Sequence, residues 1–142
     1  MTREFEWRGP IENREVHDLH VDAFGAEDST ETDWVSLLET NSFGWVTARD
    51  GLRLVGFVNV ISDGQTHAWI QDVMVFSGSR HLGIGSKLIE LVREASRAAG
   101  LTYLHVDFEE TLGNFYFQSC GFQPTAAGVI HLQERGPSNK FA

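Results

Sequence analysis

The stretch from His67 to Ala98 constrains the fold most, because it joins an apolar strand to an amphipathic helix through a turn that contains two glycines. The strand segment HAWIQDVMVF is apolar on both faces except at Gln71 and Asp72, which is typical of a central strand. From Ile84 onward apolar residues recur at helical spacing, and Gly100 is expected to end the helix. Together these features predict a mixed α/β sheet with crossover helices.

The remaining patterns assign an element to most of the chain. Alternation and helical spacing predict the order strand, two helices, three strands, helix, strand, helix, strand, with a hairpin at Asp50-Gly51. No repeat or linker interrupts this order, so we expect a single domain over residues 1–142. Outside 67–98, the predicted strands cover residues 3–8, 43–48, 52–61, 101–108 and 125–132, and the predicted helices cover 11–24, 34–38 and 111–120.

Composition limits the classes of partner. The formal net charge is −9, which argues against nucleic acid and mildly favours cationic partners, although it is equally consistent with a role in solubility alone. No apolar run approaches the length of a membrane span, and the first ten residues lack the apolar core of a signal peptide. The single cysteine, Cys120, excludes an internal disulfide and indicates a reducing compartment, so we expect a cytoplasmic protein.

The two glycines of the turn, Gly83 and Gly85, lie at the start of the predicted helix. Glycine destabilises a helix interior relative to alanine, so their presence calls for a reason. The first backbone N–H groups of a helix and its dipole form an anion site, and glycines let a phosphate approach the backbone closely. Arg80 would add a positive charge at the rim of such a site. The alternative is a close strand–helix contact that needs small residues.

The segment DVMVFSGSRHLGIGSKLI resembles the acetyl-CoA signature of the GNAT superfamily of N-acetyltransferases, Arg/Gln-x-x-Gly-x-Gly/Ala, with Arg80, Gly83 and Gly85 at its defining positions. The segment FYFQSCGF is similar to a later family segment, an aromatic short helix that ends in Gly-Phe. The order of elements matches over nearly the whole chain. The resemblance implies an antiparallel meander, central parallel strands that splay apart, and flanking helices.

The resemblance also implies a cosubstrate, acetyl-CoA, and no metal, in agreement with the absence of ligand-like spacing among the six histidines. The acetyl group would pass to an amine by direct attack, without a covalent enzyme intermediate, and backbone N–H groups near Val75 would stabilise the oxyanion. The pyrophosphate would lie on the amides of residues 81–86, and the pantetheine arm would pair with the strand before them. The implied cofactor-binding residues are Val73, Met74, Val75, Arg80, His81, Leu82, Gly83, Ile84, Gly85 and Ser86.

The chain departs from the family at the groups that move protons. The family usually has a tyrosine four residues before the glycine that aligns with Gly121, and this chain has Phe117 there. Tyr116 is one residue earlier, about 100° around a helix, so it is either a displaced proton donor or an ordinary aromatic residue. The usual positions of the general base hold Gln71 and Trp69, neither of which can accept the proton.

Three polar residues of the last predicted central strand offer a replacement for the base. His105, Asp107 and Glu109 alternate with apolar residues, so they would share one face of the strand. Asp107 would orient His105 or act through water, unless these residues only lie at the solvated end of the strand. Asp72 is a further candidate.

Two classes of function fit the sequence. The first is an N-acetyltransferase whose acceptor is a small-molecule or protein amine, and the second is an acyl-CoA-binding regulatory or sensor protein that lacks catalysis. The acidic segment after the first helix favours a cationic acceptor, or it is an ordinary solvated loop. Monomer and homodimer are both compatible with the sequence, and neither nucleic acid nor a membrane is an expected partner. The acidic residues are Glu27, Asp28, Glu31 and Asp33.

Overall fold

A five-stranded sheet forms the centre of the protein, in a computed structural model that describes residues 2–133. The strands follow one another in chain order across the sheet, antiparallel from the first to the fourth and parallel between the fourth and the fifth. The mixed α/β sheet expected from the sequence is thus confirmed. The strands are β1 (Arg3–Trp7), β2 (Gly44–Asp50), β3 (Arg53–Ser62), β4 (His67–Val75) and β5 (Tyr103–Val106).

Three α-helices and several shorter helical turns connect the strands. None of the helices between residues 2 and 133 has the length and apolar character needed to cross a bilayer. The α-helices are α1 (Asn13–Phe24), α2 (Trp34–Asn41) and α3 (Ile84–Ala98), the 3₁₀ turns are Ala26–Asp28, Ser77–Ser79 and Glu110–Leu112, and a π-helix spans Asn114–Ser119.

The helices cover the two faces of the sheet and create two apolar layers. On one face, the buried stripe of α3 that contains Leu88 and Val92 packs against β2, β3 and β4. On the other face, α1 and α2 enclose a second cluster with Phe57 and Met74 of the sheet. Gly100, which has a φ of +82°, follows the last turn of α3 as the sequence predicts. The two apolar layers bury Ala68, Ile70 and Met74 of β4.

Two predictions about the strands are wrong. Residues 125–132, expected as the last strand, form no regular structure, because a strand requires a hydrogen-bonded neighbour and this segment has none within residues 2–133. The strand predicted over 101–108 is confined to Tyr103–Val106. Asp107 and Glu109 therefore lie beyond the sheet, where the chain turns towards the 3₁₀ turn at Glu110–Leu112.

Candidate functional site

The two parallel strands part at one end and leave a cleft between them. Their pairing ends with Ile70 opposite Val106, whereas β4 continues to Val75. Gln71, Met74 and Val75 thus pair with β3 on one side, and within residues 2–133 the stretch 71–75 has no strand neighbour on the side of β5. The backbone of β4 presents free hydrogen-bonding groups at this edge, as the splayed strands of the sequence prediction require.

A β-bulge at Asp72 marks the point of separation. Between the pairs Phe57–Met74 and Asn59–Gln71, β4 contains one more residue than β3. Asp72 takes up the extra length with a φ of +55°, a left-handed conformation that aspartate and asparagine adopt more readily than most residues. The side-chain alternation of β4 changes there, because Ile70 packs under α3 while Met74 packs under α1 and α2.

The cleft beyond the bulge has a volume of about 200 Å³ and receives the side chain of Asp72. Burial raises the pKa of this carboxyl from 3.8 to about 6, because a charged carboxylate loses hydration inside the protein. Sequence reasoning named Asp72 without a face or a partner, since the bulge that turns it into the cleft depends on pairing between strands. The lining comprises Ala23, Phe24, Ile70, Asp72, Val73, Val106, Asp107, Phe108, Glu109, Thr111, Leu112 and Tyr116.

Tyr116 lies in the wall of this cleft, and its neighbour Phe117 does not. The π-helix carries both residues, and its i→i+5 bond from Cys120 N–H to the Phe115 carbonyl alters the rotation that an α-helix would impose. The buried ring of Tyr116 stacks on Phe108, with 4.5 Å between the ring centroids. Burial raises the pKa of its hydroxyl to about 12, so the group stays protonated at neutral pH.

The glycine turn follows β4 and ends at the first residue of α3. Gly83 precedes the helix with a φ of +81°, and a β-carbon added there would meet no atom within 4 Å. Its conformation and the open space before it leave the N–H groups of residues 84–86 directed out of the helix. The first intrahelical hydrogen bond runs from the Lys87 N–H to the Gly83 carbonyl, so the N–H groups of residues 84–86 have no partner within the helix.

Gly85 serves a different requirement from Gly83. A β-carbon at Gly85 would lie 3.1 Å from the Phe115 ring, which is closer than ordinary packing allows. The ring belongs to the π-helix next to Tyr116, and Val75 lies beside the same position. Gly85 therefore fits the close-packing interpretation of the glycines, whereas Gly83 takes a left-handed conformation at an open helix start and its role in phosphate binding stays a prediction.

The other residues of the expected cofactor set divide into an exposed and a buried group. Met74 and Ile84 are buried in the core, so only their backbone atoms are available to a ligand. Val73 lines the cleft, and Val75 is half-buried at the end of the same strand. The exposed residues of the turn are Arg80, His81, Leu82, Gly83 and Ser86.

The start of the glycine turn is fastened to α1. The carboxylate of Asp22 accepts hydrogen bonds from both the N–H and the hydroxyl of Ser77, each at 2.7 Å. The next anchor is Phe76, whose ring lies 3.9 Å from the guanidinium carbon of Arg53. These contacts fix the position from which the chain leaves β4, and no motif in the sequence indicated them.

His105 and Asp107 do not form the pair that the sequence suggested. His105 Nε2 lies 2.8 Å from His67 Nδ1, and the His105 ring stacks on Trp69. It faces a groove on the outer side of β5, whereas Asp107 is exposed and lines both that groove and the cleft. The expected row on one strand face is absent because β5 ends before Asp107.

The acidic segment between α1 and α2 contributes no residue to the lining of the cleft. Asp33 accepts a hydrogen bond from Ser36 N–H as the N-cap of α2, and its side chain also bonds Asn13 at the start of α1. The cleft instead meets the other end of α1, at Ala23 and Phe24. The cleft has its own acidic character, since the part of its lining that residues 2–133 form includes three carboxylates and no lysine, arginine or histidine.

Comparisons with known proteins agree with this geometry. The sequence model of the Acetyltransferase (GNAT) family matches residues 13–122. No curated protein matches the sequence significantly.

Three solved structures illustrate the structural likeness. A GNAT family acetyltransferase from Streptococcus pneumoniae is 20% identical, with a TM-score of 0.72 over 94% of this chain and 100% of that one. An acetyltransferase from Trypanosoma brucei is 19% identical, with a TM-score of 0.73 over 92% and 99% of the two chains. The aminoglycoside N-acetyltransferase AAC(6')-Iy, in complex with CoA, is 14% identical, with a TM-score of 0.73 over 94% and 96%. At these identities the likeness establishes the fold.

The partly buried carboxyl of Asp72 predicts a pH-dependent gain in stability for Asp72→Asn. The pKa of about 6 in the folded protein exceeds the ordinary value of 3.8, so Asp72 costs no stability below pH 4, destabilises the fold progressively as the pH rises from about 4 to 6, and has its full cost above pH 6. A difference of about 2 pKa units corresponds to at most ~3 kcal/mol. Asparagine also tolerates the positive φ. Urea unfolding at pH 4 and pH 7.5 should therefore show Asp72→Asn gaining stability over the parent only at the higher pH.

The matched control is Asp107→Asn, on the opposite wall of the cleft. Asp107 is exposed to water, so its carboxylate keeps its hydration on folding and the substitution should gain less at pH 7.5. An equal gain for both variants, or none for Asp72→Asn, would contradict the assignment of the raised pKa to Asp72.

Proposed function

The chain belongs to the acetyltransferase (GNAT) family, and on that premise we propose that it is an N-acetyltransferase that uses acetyl-CoA as cosubstrate. The observation that carries the proposal is a partly buried carboxyl group with a raised pKa, Asp72, in a cleft that opens beside the unpaired edge of β4. A proton acceptor next to a backbone that can hold an extended ligand suits acetyl transfer. A raised carboxyl pKa in a cleft favours catalysis over acyl-CoA binding alone.

The cosubstrate site extends from the open edge of β4 to the start of α3. Residues 73–75 offer backbone groups to the pantetheine arm, and the N–H groups of residues 84–86 offer donors to the pyrophosphate. Arg80 adds a positive charge to the exposed turn. The CoA complex of AAC(6')-Iy, a protein of the same fold, supports this assignment. We place the reaction in the cytoplasm, because a single free Cys120 suits a reducing compartment.

The reaction is a direct transfer. The nitrogen lone pair of the amine attacks the thioester carbonyl carbon, the new C–N bond forms, and the tetrahedral intermediate collapses with cleavage of the C–S bond. Backbone N–H groups near Val75 stabilise the oxyanion, and the CoA thiolate leaves and takes up a proton from water. An ammonium acceptor loses one proton before the attack, which Asp72 accepts, and the nitrogen loses a second proton to solvent after the C–N bond has formed.

The pKa of Asp72 suits that role better than the pKa of an ordinary carboxyl. An alkyl ammonium near ~10.4 transfers a proton unfavourably to any carboxylate, and each pKa unit of mismatch costs about 1.4 kcal/mol. The rise from 3.8 to about 6 lowers this cost by roughly 3 kcal/mol, while most Asp72 side chains stay ionised at pH 7. Asp72 thus takes the place of the base that is missing at Trp69 and Gln71.

Tyr116 acts as a hydrogen-bond donor rather than as the source of a full proton. With a pKa of about 12 it cannot protonate a thiolate whose conjugate acid is near ~8.5 without a large cost. Its position in the cleft wall lets the neutral hydroxyl stabilise developing charge. His105 and Asp107 remain candidates for assisting through water, with Asp107 nearer because it lines the cleft.

The acceptor is a cationic small-molecule or protein amine. Asp72, Asp107 and Glu109 make the cleft electronegative, and no basic side chain of residues 2–133 lines it. The formal net charge of −9 adds a favourable long-range field for cations. The aminoglycosides acted on by two structural neighbours carry several amino groups, which is consistent with this class of acceptor.

The direct test is acetylation of a panel of amines. The protein is incubated with acetyl-CoA and with polyamine, neutral aromatic amine or amino-acid acceptors, and the acetylated products are measured by mass spectrometry. We expect the cationic amines to be acetylated fastest, because the acidic cleft concentrates them. Binding of acetyl-CoA without acetylation of any amine would support the acyl-CoA-binding alternative, and preference for anionic amines would contradict the acidic acceptor site.

Ser86 permits a test of the pyrophosphate site that spares the fold. It is exposed in the first turn of α3, where a glutamate stabilises a helix but repels a diphosphate. We therefore expect Ser86→Glu to keep the melting temperature and to weaken acetyl-CoA binding at least tenfold in calorimetry. Ser86→Gln has the same size without the charge and should bind within about threefold of the parent. Equal affinities for the two variants would place the pyrophosphate elsewhere.

Asp72→Asn tests the general base. We expect kcat/KM of the parent to rise with pH through an apparent pKa near 6, because only the ionised Asp72 accepts a proton. In Asp72→Asn this limb should disappear and turnover at pH 7 should fall at least tenfold, with acetyl-CoA affinity retained. Asp107→Asn and His105→Ala provide comparisons from the other candidates and should lose less. Parent-like turnover in Asp72→Asn at pH 7 would mean that the base lies elsewhere.

A further inference from the structure

Asp22 lies at a helix position that local forces disfavour. It belongs to the last turn of α1, which ends at Phe24. The C-terminal end of a helix carries a partial negative charge that repels a carboxylate, and residues 21–24 contain no basic residue to offset it. Aspartate is also a poorer helix former than alanine. A residue that is unfavourable for its own helix implies a compensating contact elsewhere.

The compensating contact of Asp22 is with Ser77, the first residue of the 3₁₀ turn that follows β4. One carboxylate oxygen accepts the N–H of Ser77 and the other accepts its hydroxyl, each at 2.7 Å. Hydrogen bonds to an ionised group are stronger than those between neutral groups. They join segments that lie 55 residues apart in the chain, so Asp22 ties the end of α1 to the start of the glycine turn.

The two segments that Asp22 joins belong to the two ligand sites of the proposed function. Ala23 and Phe24, the next residues of α1, line the cleft and are called the α1 wall here. Ser77 leads into the turn that ends at Gly83 and the free N–H groups of residues 84–86. The bonds of Asp22 therefore set the position of the glycine turn relative to the α1 wall. A misplacement of about 1 Å between reacting groups can slow a reaction by roughly 100-fold.

We propose that Asp22 is a positioning residue for acetyl transfer, which acts by holding Ser77, and with it the glycine turn, against the α1 wall; this role rests on the proposed function. The charge of Asp22 and its hydrogen bonds have opposite effects on the cosubstrate, because a carboxylate near the turn repels the diphosphate of CoA. Removal of the charge alone should strengthen CoA binding, whereas loss of the two bonds should weaken it. The sign of the change in affinity therefore distinguishes positioning from charge.

The experiment measures CoA affinity by calorimetry, and kcat at saturating acetyl-CoA with the panel amine that the parent acetylates fastest. Asp22→Ala loses both bonds to Ser77 but favours the helix, so the fold should be kept. We expect it to bind CoA at least fivefold more weakly and to lower kcat at least fivefold. Asp22→Asn has no charge but offers an oxygen to the Ser77 N–H and an amide N–H to the Ser77 oxygen. It should stay within about twofold of the parent in kcat and bind CoA at least as tightly.

The matched control is Asp18→Ala, one turn earlier on α1. Asp18 is an exposed carboxylate that contacts Arg14 of the same helix, so this variant loses the same charge without releasing the glycine turn. Both of its parameters should match the parent, and melting temperatures establish that each variant is folded. Unchanged or tighter CoA binding in Asp22→Ala, an unchanged kcat, or equal losses in Asp18→Ala would overturn the role of Asp22 and leave the proposed function standing. A parent that binds no CoA would overturn both.

Discussion

The separation of β4 from β5 after Ile70 is the constraint on which the site depends. Two strands that paired along their whole length would leave neither a cleft nor an open backbone edge. On one side of the separation β4 continues into the glycine turn, and on the other side β5 continues into the segment before the π-helix. The anchors at Asp22–Ser77 and Arg53–Phe76 hold the β4 side of this opening against α1 and β3.

The core and the candidate catalytic groups differ in how far the sequence predicts them. The helix from Ile84, its end at Gly100 and the apolar β4 follow from local patterns, and the structure has all three. Asp72 could not be placed in the cleft, because its orientation comes from a bulge that exists only when β4 pairs with β3. The position of Tyr116 likewise depends on a π-helix, and the angle between neighbouring residues of an α-helix does not predict where its side chains point.

Residues 125–132 are a case in which the sequence pattern predicts an element that the structure lacks. Their apolar character is that of a strand, yet hydrogen bonds of a strand belong to a pair, and no pair forms within the described chain. The groove beside them and the cleft share residues 106–108 as a common wall. Any segment that occupies the groove therefore packs against the residues that carry Asp107. Its binding would fix the position of Asp107 in the cleft.

The bulge at Asp72 also affects how this protein can change during evolution. Deletion of Asp72 would leave Gln71 opposite Asn59 and Met74 opposite Phe57 with one residue between them on each strand, so both apolar layers would keep their side chains. The deletion would instead remove the carboxyl group from the cleft. The extra residue of β4 is therefore not required by the core, and selection that retains it should act through the cleft.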